Sequence, residues 1–107
     1  MGDVVRKAWA DRAWEPTETA GLDFSLLRPQ PDGGATLFLR FAKGVIGAEH
    51  THPGGEELFV VSGDITIGDR RVKAGDYLYT PPGAAHAAQA HADTVLLLSL
   101  PQLPVFL

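Results

Sequence analysis

The chain has 107 residues, enough for one hydrophobic core and too few for two. Its balance is mildly acidic, 13 Asp and Glu against 9 Lys and Arg for a formal net charge of −4, with no Lys/Arg run longer than a pair. That argues against nucleic acid and anionic membrane as partners, and the absence of Cys excludes a disulfide framework, a thiolate ligand and a nucleophilic thiol.

Taken in chain order, the start from Met1 to Lys7 has no apolar stretch of signal-peptide length, so a cytoplasmic protein is the expectation. Residues 1–20 read as an N-terminal extension or edge strand carrying Trp9 and Trp14, and residues 21–107 as a single barrel domain. No window has a convincing helical period. Gly, Pro and Asp instead punctuate short runs rich in Val, Ile, Leu, Phe, Tyr and Thr, which predicts an all-β sandwich or barrel. The predicted strands are Leu22–Leu27, Thr36–Phe41, Val45–Thr51, Glu57–Val61, Asp64–Ile67, Arg71–Lys73, Tyr77–Thr80, His86–Gln89 and Thr94–Leu100. Pro29–Gly34 reads as a turn of fixed-φ and positive-φ residues, and Ser62-Gly63-Asp64 and Gly68-Asp69 as tight hairpin turns. Phe38, Phe41, Phe59, Tyr77 and Tyr79 are assigned mostly to the core, with one tyrosine a candidate to face a cavity. The apolar end from Leu100 to Leu107 is too short and proline-broken to cross a bilayer. It needs cover, either against the chain's own sheet or in a two-fold homodimer that also buries the tryptophans, and the dimer is the expectation.

Three of the four histidines fall in two glycine-bracketed frames, Gly44 to Gly63 and Gly75 to His86. Imidazole and carboxylate are ligands for borderline divalent metals. A strand sends alternate side chains to one face, so His50 and His52 point the same way and can reach one ion. Two carboxylates follow. Alternation puts Glu56 with Leu58 and Val60, and Glu57 with Phe59 and Val61; Glu49, beside His50, faces away. His91, flanked by alanines and close to Asp93, reads as a surface or hydrogen-bonded histidine.

These residues together resemble the cupin superfamily. The family's first motif, G-x5-H-x-H-x(3 or 4)-E-x6-G, is matched by Gly44, His50, His52, Glu56 and Gly63; its second, G-x5-P-x-G-x2-H-x3-N, by Gly75, Pro81, Gly83 and His86. Only Glu56 keeps the six-residue spacing to Gly63, and the resemblance therefore selects it over Glu57. Ala90 stands where the family has Asn, which puts one barrel-stabilising hydrogen bond in doubt. His-Thr-His-Pro-Gly-Gly-Glu-Glu and the flanking Leu39–Gly44 and Ala74–Tyr77 are similar to the ChrR-type branch. That branch includes the metal-binding domain of a zinc anti-sigma factor and free-standing dioxygenase-like proteins. The helical zinc-binding half of the anti-sigma proteins is expected to be absent, with only some twenty residues and no Cys ahead of the barrel.

The resemblance implies a jelly-roll barrel, or double-stranded β-helix, with little helix. It implies one divalent metal ion per chain (Fe, Mn, Ni, Cu or Zn) on His50, His52, Glu56 and His86, and a small-molecule ligand in the barrel. Octahedral coordination by four residues leaves two positions open for chemistry, whereas tetrahedral coordination closes the shell. The leading expectation is a small metalloenzyme of dioxygenase or isomerase type, with Glu56 as a possible base. The alternatives are a metal- or ligand-sensing module and a scaffold stabilised by its metal.

Overall fold

The computed structural model describes residues 2–107, so Met1 of the expected extension lies outside the described residues. The strands are β1 (Glu15–Pro16), β2 (Leu22–Pro29), β3 (Ala35–Phe41), β4 (Ile46–Thr51), β5 (Glu56–Ser62), β6 (Asp64–Ile67), β7 (Arg70–Lys73), β8 (Tyr77–Thr80), β9 (Ala85–Ala90), β10 (Thr94–Leu100) and β11 (Val105–Phe106). A 3₁₀ turn, Trp9–Asp11, is the helical element among the described residues. None of the helical structure described is long and apolar enough to cross a membrane. The strands form two antiparallel sheets, β1-β2-β3-β10-β5-β8 and β11-β4-β9-β6-β7, which face each other as the jelly roll predicts.

Alternation decides what the sheets bury. β5 sends Glu56, Leu58 and Val60 inward and leaves Glu57, Phe59 and Val61 outside. β10 buries Leu96, Leu98 and Leu100 on the same side as Ala35, Leu37 and Phe41 of β3. From the other sheet come Ile65, Ile67, Val72, Ala88 and Ala90, and the core lies between. Each fully buried aliphatic side chain contributes about 1.5–3 kcal/mol.

Several expectations are corrected by that parity. Phe41 joins the core, but Phe59, Tyr77 and Tyr79 stand on the outer face, because Leu58, Val60, Leu78 and Thr80 occupy the inward positions of β5 and β8. Neither tyrosine faces the barrel interior. Phe38 is half-buried beneath the N-terminal arm: the Trp9 ring lies 5.3 Å from it and the Arg12 guanidinium 4.4 Å. Arg40 lies 4.3 Å over the Trp14 ring and pairs with Asp23 at 2.8 Å. The end of the chain adds a short strand absent from the predicted set, β11, paired to β4. Ala90, in place of the motif Asn, is buried in the core; its amide donates to the Val45 carbonyl at 3.0 Å and its carbonyl accepts from the Gly44 amide at 2.9 Å. Backbone bonds tie the sheet there. Gly63 has φ +102°, and a Cβ on it would collide with the Thr94 hydroxyl and the Asp93 backbone, so the hairpin between β5 and β6 requires glycine.

Candidate metal centre

His50 on β4 sits directly opposite His86 on β9, and cross-strand partners in an antiparallel pair share a face. A register shift between Gly47 and His50 bends β4 just before the ligand-type residues. His52 follows the end of β4 and is the deepest of the three, 1% exposed. Pro53-Gly54-Gly55 then turns the chain across to Glu56, the first residue of β5 in the other sheet. The turn is tight. The Gly55 and Gly83 amides both donate to the His52 carbonyl, at 3.0 and 3.3 Å, so the loop carrying His52 is tied to the loop that leads to His86. Gly55 has φ +79°, and a Cβ there would lie 3.1 Å from the Thr80 carbonyl oxygen.

The side chains converge. Ring centroids are 4.6 Å apart for His50 and His52, 4.8 Å for His50 and His86, and 5.0 Å for His52 and His86. One nitrogen from each lies within 4.8 Å of the others. His52 Nε2 is 3.2 Å from His86 Nε2 and 3.2 Å from Glu56 Oε2; Glu56 Oε1 is 3.8 Å from His86 Nε2. Glu56 is buried and Glu57 exposed, its carboxylate bonded to the Tyr77 hydroxyl at 2.8 Å on the outer surface. Glu49 is exposed. His91 lies apart from the cluster, its Nε2 2.7 Å from the Thr66 hydroxyl.

The proton arrangement follows from the partners. His50 Nδ1 is 2.7 Å from the Ala48 carbonyl oxygen, which can only accept. Nδ1 therefore carries a hydrogen, and in the neutral ring that leaves Nε2 with its lone pair, the form in which imidazole binds a metal. At the junction of His52, His86 and Glu56, a single hydrogen on His52 Nε2 can serve His86 Nε2 or Glu56 Oε2 but not both. Glu56 Oε1 and His52 Nδ1 are buried with no hydrogen-bond partner among the described residues. Burial, joined by the neighbouring His50 and His86, holds His52 down at about 4; burial pushes Glu56 up to about 7. His86 is also lowered, by burial and then by His50. His52 and His86 thus favour the neutral imidazole beside an unsatisfied carboxyl, and a cation among these atoms would satisfy it. Two ligands at about 2.0–2.1 Å from one ion stand roughly 3 Å apart, which the 3.2 Å separations fit.

One neighbour of the cluster escaped the sequence reading. Phe106 pairs with His50 across β11 and β4, and its ring lies 5.4 Å from the His50 ring. The one signal was the Val-Phe-Leu run after Pro104, too short to assign as a strand.

The ChrR cupin-like domain family matches residues 3–104. Among curated proteins, the DNA damage-repair/toleration protein DRT102 of Arabidopsis thaliana is 28% identical over 85 residues, or 74% of this chain and 26% of that protein; the chain thus spans about a quarter of its relative's length. An acetylacetone dioxygenase from Acinetobacter johnsonii superposes with a TM-score of 0.77 over 99% of this chain and 74% of its own, at 17% identity. The anti-sigma ChrR complex with SigE from Rhodobacter sphaeroides gives 0.74, covering 87% of this chain and 50% of the matched one, at 23% identity. At such identities the structural likenesses speak to fold alone, and the family match speaks to membership: this chain belongs to the ChrR cupin-like domain family of the cupin superfamily.

Proposed function

We propose that His50, His52, Glu56 and His86 hold one divalent metal ion, and that the protein is a small metalloenzyme of dioxygenase type acting on a small organic molecule. One observation carries the reading: His52, His86 and Glu56 meet within 3.2–3.8 Å inside the barrel, with a His50 nitrogen within 4.8 Å of the other two imidazoles, while Glu56 Oε1 lacks a partner. The ion would supply Lewis acidity and a template for substrate beside the open coordination positions. His50, whose Nδ1 is held by the Ala48 carbonyl, and His52, whose backbone carbonyl is held by the Gly55 and Gly83 amides, would present ring nitrogens to it. Glu56, with its pKa near neutrality, is suited to take a proton at Oε1 from a bound acid or enol. The dioxygenase assignment draws support from the likeness to the acetylacetone dioxygenase. The protein is read as a two-fold homodimer, supported by the bare aromatics of its outer sheet.

A second reading is favoured by the family itself: a metal- or ligand-binding module without turnover, since the ChrR fold relative is found in complex with a sigma factor. Elemental analysis of untagged protein beside a His50→Ala/His52→Ala variant tests the common premise. About one iron, manganese, nickel or copper per chain, lost in the variant, together with oxygen uptake in a small-acid and diketone screen, supports the enzyme. Zinc with no turnover supports the module. No metal in the wild-type protein, even after reconstitution, would falsify both.

A further inference from the structure

The register of the six-stranded sheet lines up a ridge across its outer face. Ser25 is opposite Phe38, Phe38 opposite Leu97, Leu97 opposite Phe59, and Phe59 opposite Tyr77, one residue from each of β2, β3, β10, β5 and β8. The β3 end of this ridge is covered by the chain's own arm, through Trp9 and Arg12 on Phe38. The other end is bare: Phe59 is 42% and Tyr77 58% exposed, and Trp9 itself remains 55% exposed. The two ends also differ in charge. Arg12 has a buried Nε with no partner and forms no ion pair among the described residues, whereas Glu57 stands exposed beside Phe59 and Tyr77.

We propose that this face is the dimer interface, a second copy of the chain being its occupant, with Arg12 of each copy paired to Glu57 of the other. The proposal rests on the two-fold assembly read above and on none of the metal chemistry. A two-fold axis parallel to β10 and passing over Leu97 reverses the strand order on the partner. It brings the arm-covered, cationic end of one ridge onto the bare, anionic end of the other, twice over. Self-complementarity of that kind is what an isologous contact requires, and Arg to carboxylate is its strongest polar form. The exposed aromatic area is of the order such a contact needs. Trp9, Phe59, Tyr77 and Tyr79 each leave about half their surface in solvent. At ~150–250 Å² per aromatic side chain that is on the order of 400 Å². A stable interface needs about 800 Å² per partner, a little over half of it apolar. The C-terminal segment, the other apolar candidate, pairs its backbone to β4 through β11 and leaves Leu103, Val105, Phe106 and Leu107 exposed, but it carries no charged side chain to match across a two-fold axis.

The test is the monomer–dimer equilibrium by sedimentation velocity at micromolar concentration, for the wild-type protein and for Arg12→Glu, Glu57→Arg, Phe59→Lys and the double Arg12→Glu/Glu57→Arg. Near-UV circular dichroism and metal content serve as checks that each variant keeps the barrel. The expected result is a wild-type dimer, with each single variant dissociating at least ~30-fold more readily. The charge-swapped double should return to within a few-fold of wild type, which a merely structural defect would not do. A monomeric wild-type protein overturns the two-fold assembly and this face together. A dimer that survives all three single changes overturns this face alone and moves the contact to the 103–107 segment.

Discussion

Ionising Glu56 places a carboxylate in the buried interior, and that burial holds its pKa at about 7 against an ordinary 4.5. Between those values the folded protein binds a proton that the unfolded chain has lost. Metal-free stability therefore falls as pH rises from 4.5 to 7, by about 3 kcal/mol at most. His52 acts in the opposite direction. Its pKa of about 4 against 6.5 means that the unfolded chain binds the extra proton, so stability is lost as pH falls from 6.5 towards 4. Glu56→Gln separates the two effects. In chelator at pH 8 its melting temperature should exceed that of the wild type, while its metal affinity should drop by about 100-fold or more. A variant equal to wild type in both respects would remove Glu56 from the centre. The same pKa predicts the proton balance. Calorimetry in buffers of different ionisation enthalpy should find that wild type releases about one proton more per metal bound than Glu56→Gln at pH 6, and that the difference vanishes at pH 8.5. Glu56 was distinguishable from Glu57 in the sequence only by the motif's six-residue spacing to Gly63. In the fold the distinction is inside against outside, because consecutive residues of β5 face opposite ways.

At the level of strands, alternation sets the penalties. Leu96, 1% exposed in the middle of β10, packs against both flanking strands, so Leu96→Ala should cost about 2–5 kcal/mol in urea unfolding. Gly55→Ala should cost about 1–2 kcal/mol from its positive φ. It should also weaken metal binding, since the methyl pushes on the Thr80 carbonyl and shifts the amide that holds His52. Unchanged affinity would mean that His52 is positioned by something other than this turn. The nine strands from β2 to β10 were legible because Gly, Pro and Asp bracket runs of the right composition, and the structure extends most of them by only one or two residues. β11 was not legible for a physical reason. A two-residue ladder is stabilised by its partner strand rather than by its own pattern, and β11 exists because β4 offers a free edge. The aromatics misled for a related reason. Size and apolarity suggested burial for Phe59, Tyr77 and Tyr79, but parity along the strand outranks composition once Leu58 and Leu78 have taken the inner positions.

For the molecule as a whole, a ligand that binds only the folded state raises its stability by mass action. Saturation at a hundred times Kd adds about 2.7 kcal/mol. For a domain of about 100 residues that corresponds to a rise of roughly 10–20 °C, reversed by chelator. Scanning calorimetry with and without EDTA measures it, and a shift near zero would contradict tight binding at this site. The centre also has a mechanical side. His50 and His86 belong to the five-stranded sheet and His52 follows directly from it, but Glu56 opens β5 in the six-stranded sheet. An ion bound to all four would be a rivet through both walls of the barrel at one rim. Prising the walls apart would then require breaking a metal–ligand bond before the apolar layer can open. The loaded protein should consequently lose its metal and its fold at a common rate, with amide exchange in β4 and β5 slowed together while the opposite rim, around Gly63 and Thr94, breathes as before.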